Sequence, residues 1–374
     1  PPAAELASAW LAAEHESGEL HPRSPPEARV IAARAAVQLE HGASAGTGLG
    51  PQHGWIGRQP TVPRYATFYE RFARCAWQAW LTRELGLEET PDPLGVLPEL
   101  DALLLGTTVH AALETLLAPP GRPRELAALL TLAPVPAPWP AAADVARALD
   151  AAAREALAER GVRYDGLASV LAELAAPHVA RALELSYGDV DPAVLGCEVE
   201  GRCSIAGREI RFRADRVDAG ASGPVLLDYK TGEPVRARSF PKWLRRGTLL
   251  QAASYAASAT AAEGVYLYVD PELSAQAARL STAALAGNGS ALAELAVATL
   301  GRAIDHGVCT PRPESRGKVN EACRNCVVAS ACSRNDTAWR LRWSIGLRLA
   351  TARAPRSEYD AVAAELDALA EVEP

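Results

Sequence analysis

RFRADRVD (residues 211–218) and VLLDYKTG (225–232), joined by the turn-rich AGASGP (219–224), decide how this chain is read. Residues 208–217 alternate apolar and polar, as a half-buried strand does, and Val225-Leu226-Leu227 is a short apolar run suited to a buried one. The turn centres near Ala221–Ser222. A hairpin closed there sets Asp215 and Asp228 at nearly equal distances from its centre, across from one another. Asp228 and Lys230 are two apart and share one face of their strand, while Tyr229 points the other way. Two carboxylates and one ammonium then meet at the end of an otherwise apolar hairpin. Carboxylate oxygens bind hard cations such as Mg²⁺ or Mn²⁺. A lysine beside them orients water or shares the charge that grows on a phosphate during hydrolysis. The plain alternative is a surface Asp–Lys pair, since D-x-K alone is a frequent tripeptide.

Outward from the hairpin, residues 195–205 form a further alternating stretch. A helix is expected over about 247–262 and a strand over 265–269. Upstream, helices are expected over 64–87 and 100–117, the second stopped by Pro119-Pro120. An Ala/Pro-rich bridge (118–143) leads to two Ala/Leu helices near 142–160 and 166–186, read as a helical insertion. Residues 26–39 suggest one more helix and 41–57 a Gly-rich linker. The order helix, three strands, helix, strand identifies an α/β core, with further helices toward the C-terminus.

That order gives the motifs a family setting. The two hairpin segments resemble the second and third motifs of the PD-(D/E)XK nuclease superfamily, in its RecB/AddB-type branch. GTTVHAALE (106–114) looks like the branch's histidine helix, and QAASY (251–255) is similar to its Q-x-x-x-Y helix, with Gln251 and Tyr255 one turn apart on one face. The resemblance covers roughly residues 61–340. It implies the αβββαβ core of restriction-endonuclease-like enzymes. It makes Asp215 and Asp228 ligands of Mg²⁺ or Mn²⁺, His110 a further ligand, Lys230 the catalytic lysine, and Gln251 and Tyr255 supports of the site or of DNA. An upstream carboxylate often joins such sites, and either Glu198 or Glu200 fits. Phe212 stands where the branch commonly has glycine, a bulk expected to narrow the metal site.

Cys323-x-x-Cys326-x₅-Cys332 is compact enough for three thiolates to reach one metal. Cys75, within YERFARCAWQAWL (69–81), resembles the cysteine of the branch's E-x-x-x-x-C-P helix, with Ala76 in place of the proline. In this branch such a set holds a 4Fe–4S cluster, which requires cysteine ligation of this kind. A four-cysteine zinc site would use the same residues. The remaining Cys197, Cys203 and Cys309 read as plain buried thiols.

Composition bounds the reading. The 374 residues are 49% hydrophobic and 22% charged, enough for a sizeable core. Net charge is −7, which argues against a protein that coats nucleic acid indiscriminately but not against one with a local basic groove. Only Lys230, Lys242 and Lys318 are lysines. Lys242, Trp243, Arg245 and Arg246 mix cations with an aromatic ring, as surfaces that hold phosphates and stack unpaired bases do. No apolar run approaches the roughly 18 residues of a membrane helix, and no secretory signal opens the chain, so the expected location is cytoplasmic. The start at Pro1 and the absence of methionine read as a piece of a longer product.

Three whole-protein readings follow. The first is an exonuclease domain of an AddAB/RecBCD-like complex, partnered by a helicase subunit and acting on DNA ends. In it residues 1–60 are the tail of a preceding region, 61–340 the nuclease with 118–193 inserted, and 341–374 a C-terminal extension. The second is a free-standing iron–sulfur exonuclease of the CRISPR spacer-acquisition type. The third is a degenerate nuclease fold kept for DNA binding or structure.

Overall fold

A computed structural model describes residues 54–88, 100–187, 191–285, 287–312, 314–315, 318–324, 326–335 and 358–371. The expected helix at 26–39, most of the Gly-rich linker and residues 341–357 lie outside them. In chain order the elements are β1 (Arg64–Tyr65), α1 (Ala66–Arg74), α2 (Ala102–Leu117), β2 (Val135–Pro136), α3 (Ala142–Glu159), α4 (Asp165–Ser186), β3 (Ala193–Ile205), β4 (Arg208–Ala219), β5 (Pro224–Lys230), α5 (Gln251–Ala256), β6 (Glu263–Tyr268), β7 (Arg279–Ser281), α6 (Gly289–Asp305) and α7 (Glu358–Ala370). The sheet runs β2-β3-β4-β5-β6-β7, with β1 added beside β4. It is mixed but mostly antiparallel; β5 and β6 run parallel, as do β1 and β4.

Alternation along the central strands explains why the sheet is covered on both faces. On β5 and β6, Leu226, Tyr266 and Tyr268 belong to a core with α1, α5, α6 and α7, while Leu227, Tyr229, Val265 and Leu267 join α2, α3 and α4. A strand buried on both faces can then be apolar at nearly every position. The α3–α4 pair, expected as an insertion, supplies most of one covering layer. Pro177 sits within α4 without ending it. The C-terminal helix α7 is likewise part of the core, burying Tyr359, Val362, Leu366 and Leu369.

Three boundaries differ from the sequence reading. The helix expected over 64–87 breaks at Cys75, whose backbone is extended, and resumes at Ala76 before ending in a π-turn over Trp80–Glu84. The helix expected over 247–262 is only α5. It is followed by turn residues that include Ala261 at φ 55°. The end of the Gly-rich linker is fastened down: Ile56 N–H donates to Gly307 and Cys309 N–H to Gly54.

α5 lies on β6 at the closest approach the backbone allows. A Cβ on Gly264 would stand 1.9 Å from the Ala252 carbonyl oxygen. Replacing Gly264 with Ala is therefore expected to push α5 off the sheet and to cost about 1–3 kcal/mol of stability. Thermal or urea unfolding measures this, and an unchanged midpoint would contradict the packing described.

Candidate active site

The β4–β5 ladder pairs Ala219 with Pro224, Asp218 with Val225, Val217 with Leu226 and Arg216 with Leu227. One further step in this register sets Asp215 opposite Asp228, as the hairpin argument expected. The two strands part there. Burial on β4 alternates up to Ala214, and then Arg216 and Val217 are buried in succession. Instead of a ladder bond, the Asp215 side chain accepts from the Tyr229 N–H at 2.6 Å. The polar groups of the site gather in this fork.

Asp228 is buried against α5 and Tyr229 in the opposite core. Oδ1 of Asp228 accepts from Gln251 Nε2 at 2.9 Å, and the Tyr255 hydroxyl lies 3.4 Å away while donating to the Arg213 carbonyl at 2.9 Å. Lys230 Nζ stands 2.5 Å from Oδ2 of Asp228 and donates to Gln251 Oε1 at 3.1 Å. Burial, partly offset by Lys230, pushes the Asp228 carboxyl above its usual range. For Lys230 burial works downward, but Asp228 and then Glu70 outweigh it and hold the ammonium at about 12.

His110, on α2, faces the fork from the far layer. Nε2 lies 3.0 Å from the Tyr229 carbonyl and Nδ1 3.3 Å from Asp215. A carbonyl only accepts, so Nε2 carries a proton there. Burial alone would lower the ring's pKa, and the Asp215 carboxylate instead raises it to about 9. An imidazole whose one N–H is committed to a backbone carbonyl is the arrangement that presents its other nitrogen to a metal.

Glu198 and Glu200 are separated by the fold. The β3–β4 register pairs Cys197 with Arg216 and Val199 with Ala214, so Glu198 falls opposite Asp215. It is buried, holds φ 50°, and pairs with Arg213 at 2.9 Å. Burial and then the Asp215 charge push its carboxyl up. A left-handed glutamate is uncommon and marks a place where the chain is held against its preference. Glu200 is exposed, its N–H donating to the Arg124 carbonyl.

Phe212 does not narrow the metal site. It points into the core beneath α5, edge-on to Tyr255 at 5.1 Å, and pairs across the strands with Gly201. A Cβ on Gly201 would come within 2.3 Å of the Phe212 ring, so the glycine opposite makes room for the bulk.

Two features were missed. Glu70 is buried, and Oε1 accepts from the N–H groups of Leu250 at 2.6 Å and Gln251 at 2.9 Å. Its signal was available: Ala66, Tyr69, Glu70 and Ala73 lie at core spacing on α1, and an acid on such a face needs partners. Arg216 is also buried, clamping Asp218 and donating to the hydroxyls of Ser186 and Tyr229. Alternation from buried Ile210, Phe212 and Ala214 already set residue 216 inside, and the β4 irregularity sends it to the α4 side of the sheet.

A profile of the PD-(D/E)XK nuclease superfamily matches residues 66–333. The chain belongs to this superfamily. No curated protein matches it. Proteins of the PD-(D/E)XK superfamily are usually metal-dependent nucleases, generally using Mg²⁺ or Mn²⁺, and their substrate implies DNA binding. Among the described residues no helix is long and apolar enough to cross a membrane.

The fork fits the cation that PD-(D/E)XK enzymes use. Oδ2 of Asp228 is buried and faces the Lys230 ammonium at 2.5 Å, and Asp215 and His110 are adjacent. As the side chains stand, no three His, Cys, Asp or Glu residues among those described are placed so that together they could hold a metal ion. Lys230 on Asp228 and the imidazole on Asp215 fill the places a cation would take.

The four cysteines of the motif reading, Cys75, Cys323, Cys326 and Cys332, line one hollow with Trp77, Gln78, Arg312 and Arg334. The break of α1 at Cys75 is what places that residue there. None of the four is in a disulfide. Gln78 Nε2 donates to Cys326 Sγ at 3.6 Å, and Cys323 Sγ lies 3.8 Å from the Arg312 carbonyl. Cys203 and Cys309 are buried, as expected, and Cys197 half-buried.

Lys242, Trp243 and Arg245 lie on a short helix (Phe240–Arg245) anchored by buried Phe240 and Leu244. Lys242 and Arg245 are exposed, and the Arg246 guanidinium lies over the half-buried Trp243 ring at 5.6 Å.

Replacing Glu198 with Ala is expected to weaken Mn²⁺ binding about tenfold or more, whereas Glu200→Ala leaves it unchanged. Isothermal titration with Mn²⁺ decides; equal effects of the two changes would remove Glu198 from the site.

Proposed function

We propose that this chain is a metal-dependent DNA exonuclease domain that processes double-strand breaks within a helicase–nuclease complex. The carrying observation is the fork itself, where half-buried Asp215, His110 and Lys230 meet buried Asp228 and Gln251. Asp215, Asp228 and the Nδ1 atom of His110 are the donors for Mg²⁺ or Mn²⁺, with Glu198 at the edge. A hard divalent cation bound there supplies Lewis-acid chemistry and offsets charge that develops on the phosphate.

The chain's own residues do the remaining work. Lys230, placed beside Asp228 and held by Gln251, would present its ammonium to the scissile phosphate and the attacking water. Gln251 accepts from Lys230 and donates to Asp228, so it keeps both at fixed separation. Tyr255 fastens the Arg213 carbonyl and steadies Asp228 from below. Lys242, Trp243, Arg245 and Arg246 take the DNA strand by phosphate contact and base stacking. The helicase partner is inferred from the order of RecB/AddB-type motifs along the sequence.

The cysteine hollow supports a second metal centre. Four sulfurs drawn from residue 75 and residues 323–332 around one pocket, with two arginines beside them, suit the negative charge of a 4Fe–4S cluster; zinc is the alternative. Such a centre ties α1 to the C-terminal segment, closing a very long loop around the nuclease core, and so favours the folded state.

The test of catalysis is cleavage of end-labelled DNA with Mg²⁺, Mn²⁺ or EDTA. Wild-type protein is expected to cleave with either ion and not with EDTA. Asp228→Ala is expected to abolish cleavage, and Lys230→Ala to slow it roughly 10²–10³-fold. A wild type inert with every divalent ion sinks the reading. For the cysteines, anaerobically purified protein is expected to be coloured through thiolate-to-iron absorption, and Cys75→Ala to lose both colour and thermal stability. A colourless protein loaded with zinc identifies the other metal.

A further inference from the structure

The residues assigned above leave one wholly buried acid beside them without a task. Glu70 sits at the middle of α1, and its Oε1 accepts from the backbone N–H groups of both Leu250 and Gln251. Those amides open α5, a helix of six residues, too short to hold its own shape. The usual device is a Ser, Thr, Asp or Asn at the N-cap. Here the N-cap is Leu250, buried in the core and without a side-chain cap. The cap comes instead from an acid 180 residues away in sequence.

Burying a carboxylate is costly where a local hydroxyl would serve. The position of the first α5 residue explains what is gained. Gln251 stands there, and its backbone place fixes where its amide falls, 2.9 Å from Asp228 Oδ1 and 3.1 Å from Lys230 Nζ. Asp228 and Lys230 lie on β5, Gln251 on α5 and Glu70 on α1. A small shift of α5 would carry Gln251 away from the two groups it spaces. Gly264 beneath Ala252 limits movement toward the sheet. Glu70 limits movement along the helix axis, because it grips the leading amides.

We propose that Glu70 is a positioning residue of the nuclease site, acting on Asp228 and Lys230 through Gln251. The proposal rests on the nuclease reading above. It predicts a dependence that a merely stabilising cap would not produce. With Gln251 gone, Glu70 still holds α5 and with it Tyr255, but its main route to Asp228 and Lys230 is lost, so the two losses overlap.

The experiment is a double-mutant cycle on single-turnover cleavage of end-labelled DNA in Mg²⁺, using Glu70→Ala, Gln251→Ala and the pair. Each single change is expected to slow cleavage about 10–100-fold with KM for DNA unchanged. The pair is expected to be slower than the slower single by far less than the product of the two losses. Glu70→Gln, whose amide oxygen can still accept both N–H groups, is expected to recover most of the rate lost in Glu70→Ala. Wild-type rate in Glu70→Ala, or losses that multiply in the pair, would overturn the proposal. Should Glu70→Ala fail to fold by circular dichroism, Glu70→Asp takes its place in the same cycle with the same criteria. Wild-type protein that cleaves nothing removes the nuclease reading, and this proposal with it, before any variant is compared.

Discussion

The parting of β4 and β5 at residues 215 and 228 is the constraint on which the rest of the molecule turns. A ladder that continued would satisfy its backbone groups and leave a flat apolar sheet. A ladder that stops leaves unpaired amides, and here the Asp215 carboxylate takes the Tyr229 N–H in place of a strand partner. The gap also admits charge into the middle of a protein. Charges buried away from water persist only when paired and hydrogen-bonded. The neighbourhood is arranged accordingly: an ammonium on Asp228, an imidazole on Asp215, a guanidinium on Glu198. Each carboxylate has its own cation, so the group is stable as it stands. Under the proposed function, a divalent ion would have to exchange partners with these cations.

Both covering layers are recruited to this fork. From one side α2 brings His110, and from the other α5 brings Gln251 and Tyr255, with Glu70 of α1 behind them. α1 also leads directly into the extended residue Cys75, whose thiol shares a hollow with the C-terminal cysteines. Arg312 reaches across the same junction, donating to the carbonyls of Ala73 on α1 and Leu366 on α7. One short helix thus meets the fork at its middle and the cysteine hollow at its end. Whatever fastens the hollow also limits how far Glu70 can move, because nine residues of helix do not bend easily between the two.

The fork was legible in the sequence because its information is local. A tight turn fixes register, register sets Asp215 against Asp228, and the two-residue period puts Lys230 with Asp228 and sends Tyr229 away. A single helical turn does the same for Gln251 and Tyr255. What escaped is what depends on three-dimensional neighbours. The choice between Glu198 and Glu200 turns on the β3–β4 register across the Ala206-Gly207 turn, which sets Glu198 opposite Asp215, and on which side of β3 meets α2; both residues share a period. The break at Cys75 cannot be inferred from composition, since every residue around it favours helix. Arg216 follows the buried alternation of Phe212 and Ala214, but which of the two cores it enters depends on the irregularity in β4. Glu70 carried a usable signal, an acid at a core position, but nothing local named the amides it would hold.

Phe212 shows how a bulky ring is accommodated beside this site where the resembled motif has glycine. A glycine at that position would leave space under Tyr255, and the hydroxyl of Tyr255 has two tasks, holding the Arg213 carbonyl and steadying Asp228. The phenyl ring fills the space edge-on to the tyrosine, the geometry aromatic pairs prefer. The bulk is accommodated one strand over, where Gly201 has no Cβ to collide with it. The substitution therefore moves the small residue across the β3–β4 pair without disturbing the fork. Its consequence is a stiffer Tyr255, backed by a ring. Charged groups that must be held within roughly 0.5 Å of their working positions gain from stiffness at the residue below Asp228.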